Sequence, residues 1–163
     1  MTLISVFPGT RSTFLPVLAL LLGLAGSATA QDRQGTGASM QLFNGYEVHY
    51  VVFNSTFIQP EMAERYGIVR ARNRAVLNIA VRERVGDEDE TEPRRAIVRG
   101  THSDLVHRTP LEFREFVESD AIYYIAELRF AGSNEERHFD LKIQPDPDGP
   151  VYSLEFSHTL YRD

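Results

Sequence analysis

The sequence predicts an all-β protein: an immunoglobulin-like antiparallel β-sandwich of about seven strands with one short helical insert. Apolar and polar residues alternate along several short segments, which is the period of a half-buried strand. Turn-forming residues separate these segments, and no long helical pattern lies between them, which argues against a parallel sheet. The chain has 163 residues and no Cys, so packing alone must stabilise its core.

The alternation assigns the strands one by one. The clearest lies at 121–130, where Ile122, Tyr124 and Ala126 share one apolar face. A rigid turn at 145–150, rich in Pro, Asp and Gly, separates the last two strands. A barrel is the alternative arrangement. The predicted strands cover residues 46–53, 75–85, 94–101, 111–117, 121–130, 136–143 and 151–161.

The period changes between the first two of these strands. Pro60 suits a first helical position, Glu61 suits the positive end of a helix dipole, and Gly67 suits a helix stop. Met62 and Tyr66 are four residues apart and would face the core together. These features predict a helical insert of two turns at most within residues 59–67, held by packing rather than by propensity.

Residues 1–30 are typical of a secretory signal peptide. One charge, Arg11, precedes an apolar run at 14–25, and an Ala-x-Ala sequence ends at Ala30. The run is shorter than the roughly 20 residues that a membrane-spanning helix needs. Since the chain has no Cys, thioether lipid attachment is excluded. We therefore expect export, cleavage after Ala30 and no membrane anchor in the mature chain.

Cleavage there would leave a flexible leader at 31–40 and one domain at 41–163. Asp and Glu number 23 against 17 Lys and Arg, so the formal net charge is −6. Nucleic acids and anionic membranes are bound by basic stripes, which argues against both as partners. The sequence does not define an oligomeric state.

The most distinctive polar group follows the insert. Arg70, Arg72 and Arg74 lie close in sequence, and Asn54 and Thr56 would approach them if the insert folds back. Guanidinium groups in this arrangement could bind an anion or a peptide carboxylate. The alternative is an exposed edge strand whose arginines pair with glutamates and prevent edge-to-edge association. The predicted binding residues are Asn54, Thr56, Tyr66, Arg70 and Arg72.

No pattern of residues indicates catalysis or metal binding. His102 and Asp104 would share a strand face, but a metal site would need a third ligand from another strand. His158 lies on an apolar strand face and is interpreted as a core histidine, and the acidic run at 87–92 as a solvated hairpin tip. No Ser lies in a Gly-x-Ser-x-Gly elbow, and the glycines form no phosphate loop. We predict no catalytic residue, no metal ligand and no cofactor.

Residues 45–81 carry three sequence blocks that resemble a known family. They read Tyr-x-x-Phe-Asn-Ser-Thr-Phe at 50–57, Pro-Glu-x-Ala at 60–63 and Tyr-Gly-Ile-x-Arg at 66–70. The sequence resembles a proteobacterial family of small periplasmic proteins that is known only as a domain of unknown function. The resemblance implies a Gram-negative periplasmic sandwich domain, and it implies no activity, cofactor or partner.

These observations favour a soluble periplasmic protein that is not an enzyme. We expect a binding or interaction module for a periplasmic protein or peptide, because loops and edges of sandwiches commonly serve recognition. One alternative is a metal-binding protein or a hydrolase that uses surface histidines. Another is an envelope-stress or stability factor without a small ligand.

Overall fold

The computed structural model describes residues 38–86, 90–104 and 106–162. Within them, a 3-10 turn at Ser55–Phe57 precedes the single α-helix, α1 at Pro60–Arg65. The described strands are β1 Ser39–Phe43, β2 Tyr46–Asn54, β3 Arg74–Arg84, β4 Thr91–Pro93, β5 Ile97–Ser103, β6 Arg108–Pro110, β7 Arg114–Val117, β8 Ile122–Arg129, β9 Asn134–Gln144 and β10 Tyr152–Tyr161.

The strands form two antiparallel sheets. Sheet A has six strands in the order β1-β2-β3-β8-β7, with β4 beside one end of β3, and sheet B has four in the order β10-β9-β5-β6. The predicted two-sheet antiparallel sandwich with a short helical insert is confirmed. Its immunoglobulin-like strand arrangement stays a prediction.

Each predicted strand overlaps an observed one, and the structure adds the short strands β1, β4 and β6. β1 begins at Ser39, so Ser39 and Met40 pair with β2 although the sequence suggested a leader there. Residues 1–37, with the predicted signal peptide (1–30) and most of the predicted leader (31–40), lie outside the described residues. None of the helices in the described part is long and apolar enough to cross a membrane.

The main core lies between the two sheets. Alternate residues of each strand point inward, as their period of two requires. Aromatic rings join β2 to β10 across the sandwich: the centroids of Tyr50 and Phe156 are 4.5 Å apart, and Phe156 stacks on Phe139 at 4.8 Å. Side chains buried in this core include Val48, Val52, Leu77, Ile79, Val81, Ala126, Leu128, Leu141, Ile143, Leu154 and Leu160.

A second core covers the outer face of sheet A. Ala63, Tyr66 and Ile68 of the insert pack on β3 and β8, so these two strands are buried on both faces. Gly67 has φ +59 and ends α1. The N–H of Ile68 bonds to the carbonyl of Ala63 at 2.7 Å, and that of Gly67 to Glu64 at 3.1 Å, which is the Schellman pattern. This stop turns the chain back across the sheet, towards the end of β2.

Candidate functional site

The turn that ends β2 ties the two sheets together. Asn54 is 7% exposed, and its Nδ2 donates a hydrogen bond to the carbonyl oxygen of Tyr161 at 2.8 Å. Ser55 is fully buried; its Oγ donates to the carbonyl of Ala71 at 3.2 Å and accepts from the amide of Ala71 at 3.0 Å. One hydroxyl thus bonds both backbone groups of Ala71, whose carbonyl also accepts from the amide of Arg74 at 3.1 Å, and it fixes the segment 68–73 beside the turn.

Tyr66 holds the helical insert against sheet A. Its hydroxyl donates to Oε1 of Glu118 at 2.7 Å, and its ring meets Phe116 edge-on at 4.8 Å. Burial, and then the bond to Glu118, raise the pKa of Tyr66 to about 12. The phenol therefore remains a protonated donor throughout the physiological pH range.

Glu127 holds the chain that follows the helix. Its Oε2 accepts hydrogen bonds from the amide of Val69 at 3.1 Å and from Arg74 at 3.3 Å. Its Oε1 accepts from Arg114 at 2.9 Å, and Arg114 also donates to the carbonyl of Tyr66 at 2.9 Å. One carboxylate therefore pairs with two guanidinium groups in positioning this segment, and the three side chains together keep one positive charge.

Four exposed side chains lie on the segment 68–73, which Ser55 and Glu127 hold in place, and on the 3-10 turn that faces it. Phe57 is 58% exposed and Val69 is 50% exposed, and Arg70 and Arg72, which follow Val69 in the chain, are exposed as well. Nη2 of Arg70 donates to the carbonyl of Thr56 at 2.9 Å, which brings the two pieces of chain together. We call Phe57, Val69, Arg70 and Arg72 the arginine surface.

The charge of the arginine surface is opposite to that of the whole chain, which is −6. In the part of the chain that the structure describes, neither Arg70 nor Arg72 forms an ion pair. Arg129 is also exposed and lies opposite Arg74 in the β3–β8 register. Glu127 is shared between Arg74 and Arg114, so Arg129 adds to the positive charge that already remains at this end of sheet A.

The five residues predicted to bind a ligand play unequal parts. Arg70 contacts the backbone of the half-buried Thr56, and both Arg70 and Arg72 face solvent. Asn54 and Tyr66 are buried, and their hydrogen bonds tie together the fold that supports this surface. The binding roles of all five stay predictions. Phe57 and Val69 were not predicted, because single apolar residues outside strands belong to no period.

A second polar group lies at the end of β5 and β9. Arg137, which is 7% exposed, approaches Nδ1 of His102 at 3.2 Å and Asp104 at 3.6 Å and forms an ion pair with Glu135. Burial, and then the guanidinium of Arg137, lower the pKa of His102. The cation that lies near His102 and Asp104 is thus a side chain of the protein itself, neutralised by two carboxylates.

The other histidines make isolated contacts. His49 lies 3.1 Å from Glu47 on the outer face of β2, and burial lowers the pKa of the half-buried His158. Over residues 38–86, 90–104 and 106–162, no group of three or more His, Asp or Glu side chains is arranged to hold a metal ion. The histidines therefore do not converge on one centre in this part of the chain.

A shallow groove of about 480 Å³ lies on the outer face of sheet B. There Nδ1 of His138 and Oγ of Ser157 are 2.6 Å apart, and Asp140 faces Glu155 in the β9–β10 register. Among the described contacts, no carboxylate bonds the second ring nitrogen of His138, so the pair lacks the third member of a catalytic triad. Sequence reasoning missed this groove because its residues alternate like any solvated strand face.

Comparison with known proteins places the chain among related sequences. Residues 40–163 match the DUF4426 family, a domain of unknown function. The crystal structure of a DUF4426 family protein, PA0388 from Pseudomonas aeruginosa PAO1, is similar with a TM-score of 0.66 and 33% sequence identity. The match covers 78% of this chain and 97% of that chain. No curated protein matches the sequence.

A more distant likeness concerns the fold alone. FetP of uropathogenic E. coli strain F11, recombinantly expressed in the periplasm of E. coli BL21(DE3), has a TM-score of 0.52 and 14% identity. That match covers 78% of this chain and 96% of FetP. The family match over residues 40–163 and the Pseudomonas structure confirm the resemblance that the sequence blocks indicated. The chain therefore belongs to the DUF4426 family.

Proposed function

We propose that this protein is a periplasmic binding module that uses the arginine surface to hold an acidic, partly apolar segment of a protein partner. The observation that carries this proposal is the pair Arg70 and Arg72, exposed and without an ion pair among the described residues of an acidic chain. Exposed Phe57 and Val69 flank them. An acidic partner with apolar residues would match both features.

The chemistry of the four side chains suits such a partner. A guanidinium group offers several N–H donors in a planar fork and can bind a carboxylate through two bonds. An exposed ion pair contributes little in water, about 0–1 kcal/mol. When a partner covers Arg and an aromatic ring such as Phe57, water is excluded and each residue can contribute about 2 kcal/mol or more.

The scaffold beneath the surface supports the proposal. Both backbone groups of Ala71, between the two arginines, are held by Ser55, and the amide of Val69 is held by Glu127. A surface whose backbone is fixed before binding loses less conformational entropy on binding. The arginine surface is therefore pre-organised at its backbone, and only the side chains need to be ordered.

The compartment is part of the same proposal. Residues 1–30 have the charge, apolar run and small-residue end of an export signal. FetP, which shares the fold, was produced in the periplasm, so this type of sandwich is compatible with that compartment. An alkaline phosphatase fusion to residues 1–40 should be active in a Gram-negative host, and an inactive fusion would contradict export.

Binding can be tested with a defined probe. A fluorescent peptide of alternating Glu and Leu should bind the protein in an anisotropy titration, and the matching Lys and Leu peptide should not. The double variant Arg70→Ala/Arg72→Ala should raise the Kd for the acidic peptide by at least about tenfold, the effect of 1.4 kcal/mol. Binding should weaken as salt rises, because exposed charges are screened.

The matched control removes the same charge elsewhere. Arg99→Ala/Arg108→Ala changes two exposed arginines of sheet B, of which Arg108 lies 4.0 Å from Asp140, and should leave the Kd near that of the unmodified protein. Equal weakening by both double variants would show that only net charge matters and would refute the proposed surface. The same pair of variants then serves in capture experiments from a periplasmic extract.

A further inference from the structure

The last strand has a long unpaired edge. β10 pairs with β9 through all ten of its residues, from Tyr152 to Tyr161, and the register continues without a bulge. Its other edge pairs with no strand in the described part of the chain. A free edge offers a row of backbone N–H and C=O groups to any further strand. At the end of β10, the carbonyl of Tyr161 already accepts a hydrogen bond from Nδ2 of Asn54 at 2.8 Å.

Soluble proteins usually protect such edges. The common devices are Pro or Lys within the strand, a bulge, or a very short strand. β10 reads YSLEFSHTLY, so it contains none of these, and Glu155 is its one carboxylate. Its Tyr, Phe and Thr residues are favourable in strands.

The edge of sheet A lies on the same side of the sandwich. Phe43 of β1 stacks on Tyr152 at 5.2 Å between ring centroids. In the described chain, the connections that cross between the sheets lead from β4 to β5, from β6 to β7 and from β8 to β9. None of them joins β1 or β10, so both sheets end here in unpaired strands.

We propose that β10 pairs antiparallel with β10 of a second copy of this chain, about a two-fold axis at Ser157, so that sheet B continues through eight strands. This inference goes beyond the proposed binding function and does not depend on it. An antiparallel pair of identical strands is self-complementary, which is what a two-fold interface requires. The sequence of β10 then decides which residue lies on the axis.

An axis at Ser157 gives compatible neighbours on both faces. Leu154 lies opposite Leu160 on the inner face, and Glu155 lies opposite Thr159 on the outer face. An axis at Glu155 would instead place two carboxylates directly opposite each other, which is destabilising. An axis at Phe156 would pair Leu154 with His158 and lose the match between leucines. The axis at Ser157 keeps that match and places His158 opposite the aromatic ring of Phe156.

The length of β10 sets the size of the contact. A strand of ten residues is about 34 Å long and two sheets lie about 10 Å apart, so the paired side covers roughly 340 Å² per copy before side chains are counted. A standard interface buries about 800 Å² per partner, so the side chains beside the edge must supply the remainder.

A single cysteine tests the axis, because the chain has no Cys of its own. In the proposed dimer, Ser157 lies opposite Ser157 of the second copy, with Cα atoms about 4.5–5.5 Å apart, which is within the range of a disulfide. The exported full-length protein carrying Ser157→Cys should form a covalent dimer under mild oxidation. Ser153→Cys, the matched control on the same face, would lie opposite Tyr161 and should not.

Sedimentation equilibrium of the unmodified protein should give about twice the monomer mass at micromolar concentration. A monomer, or disulfide formation no greater for Ser157→Cys than for Ser153→Cys, would overturn the proposal. Both substitutions are conservative, and thermal unfolding of the reduced variants verifies that they fold. These measurements involve neither the arginine surface nor a peptide, so their failure is distinguishable from failure of the proposed function.

Discussion

Removal of the buried Ser55 hydroxyl should weaken the fold at the arginine surface. Ser55→Ala deletes the hydrogen bonds at 3.2 Å and 3.0 Å that satisfy the carbonyl and the amide of Ala71. Each lost bond costs about 1 kcal/mol net, and the amide of Ala71, left unpaired, adds about 1–3 kcal/mol. The carbonyl of Ala71 keeps its bond from the amide of Arg74 at 3.1 Å. Since Ala71 is half-buried, water replaces part of this loss, and we expect the free energy of unfolding to fall by about 2–4 kcal/mol.

Urea denaturation at pH 7.5 measures this change. The midpoint should fall while the slope m is unchanged, because the surface exposed on unfolding stays nearly the same. The melting temperature should fall by roughly 10 °C for a domain of this size. Hydrogen exchange should show that the amide of Ala71 loses protection.

The control is Ser119→Ala, which removes an exposed hydroxyl with one long bond of 3.4 Å to Asp120. That change should cost less than about 0.5 kcal/mol. If Ser55→Ala and Ser119→Ala shift the midpoint equally, the hydroxyl of Ser55 does not stabilise the turn and the reasoning fails.

Two further predictions concern the core. A Cβ on Gly100 would lie 2.5 Å from Cδ2 of Leu141, so Gly100→Ala should lower the free energy of unfolding by about 1–3 kcal/mol, and an effect no larger than that of Thr101→Ala would contradict this. Burial lowers the pKa of His102 and His158 from the ordinary 6.5, so their protonation favours the unfolded state. Stability should thus be constant above about pH 6.5 and fall as the pH drops below it. The urea midpoint at pH 5.5 should be lower than at pH 7.5, and His102→Gln should reduce the difference; an unchanged midpoint would contradict the assignment.

The long strands were predictable from the sequence because apolar and polar residues alternate strictly over several repeats in each. In β8, the alternate residues Tyr124, Ala126 and Leu128 are all buried in the main core, as predicted. β4 and β6 contain three residues each, which is too short for a period to be recognised. Their existence depends on partner strands, and β1 likewise becomes a strand by pairing with β2.

The exposed arginines were predictable, whereas the buried polar residues were not. Asn54 finds its partner Tyr161 at a separation of 107 residues, and no local pattern carries that information. Arg137 is similar, since the groups that compensate its burial come partly from the end of β5. Arg usually lies at the surface, so its burial becomes visible only when the sandwich has closed around it.

Substitutions near the turn between β2 and α1 should distinguish residues that stabilise the fold from residues that bind a partner. The sequence block at 50–57 that resembles the family contains Asn54 and Ser55, whose side chains serve the fold, whereas Arg70 and Arg72 lie on the segment that this block fixes. Arg70→Ala/Arg72→Ala should therefore weaken peptide binding and lower the urea midpoint only slightly, because the one bond it removes, from Arg70 to the carbonyl of Thr56, is exposed. Ser55→Ala should weaken peptide binding and also lower the urea midpoint, because loss of the bonds to Ala71 frees the backbone that carries the arginines. The factor by which Ser55→Ala raises the Kd, compared with the factor for Arg70→Ala/Arg72→Ala, measures how much of the affinity comes from a backbone that is fixed before binding.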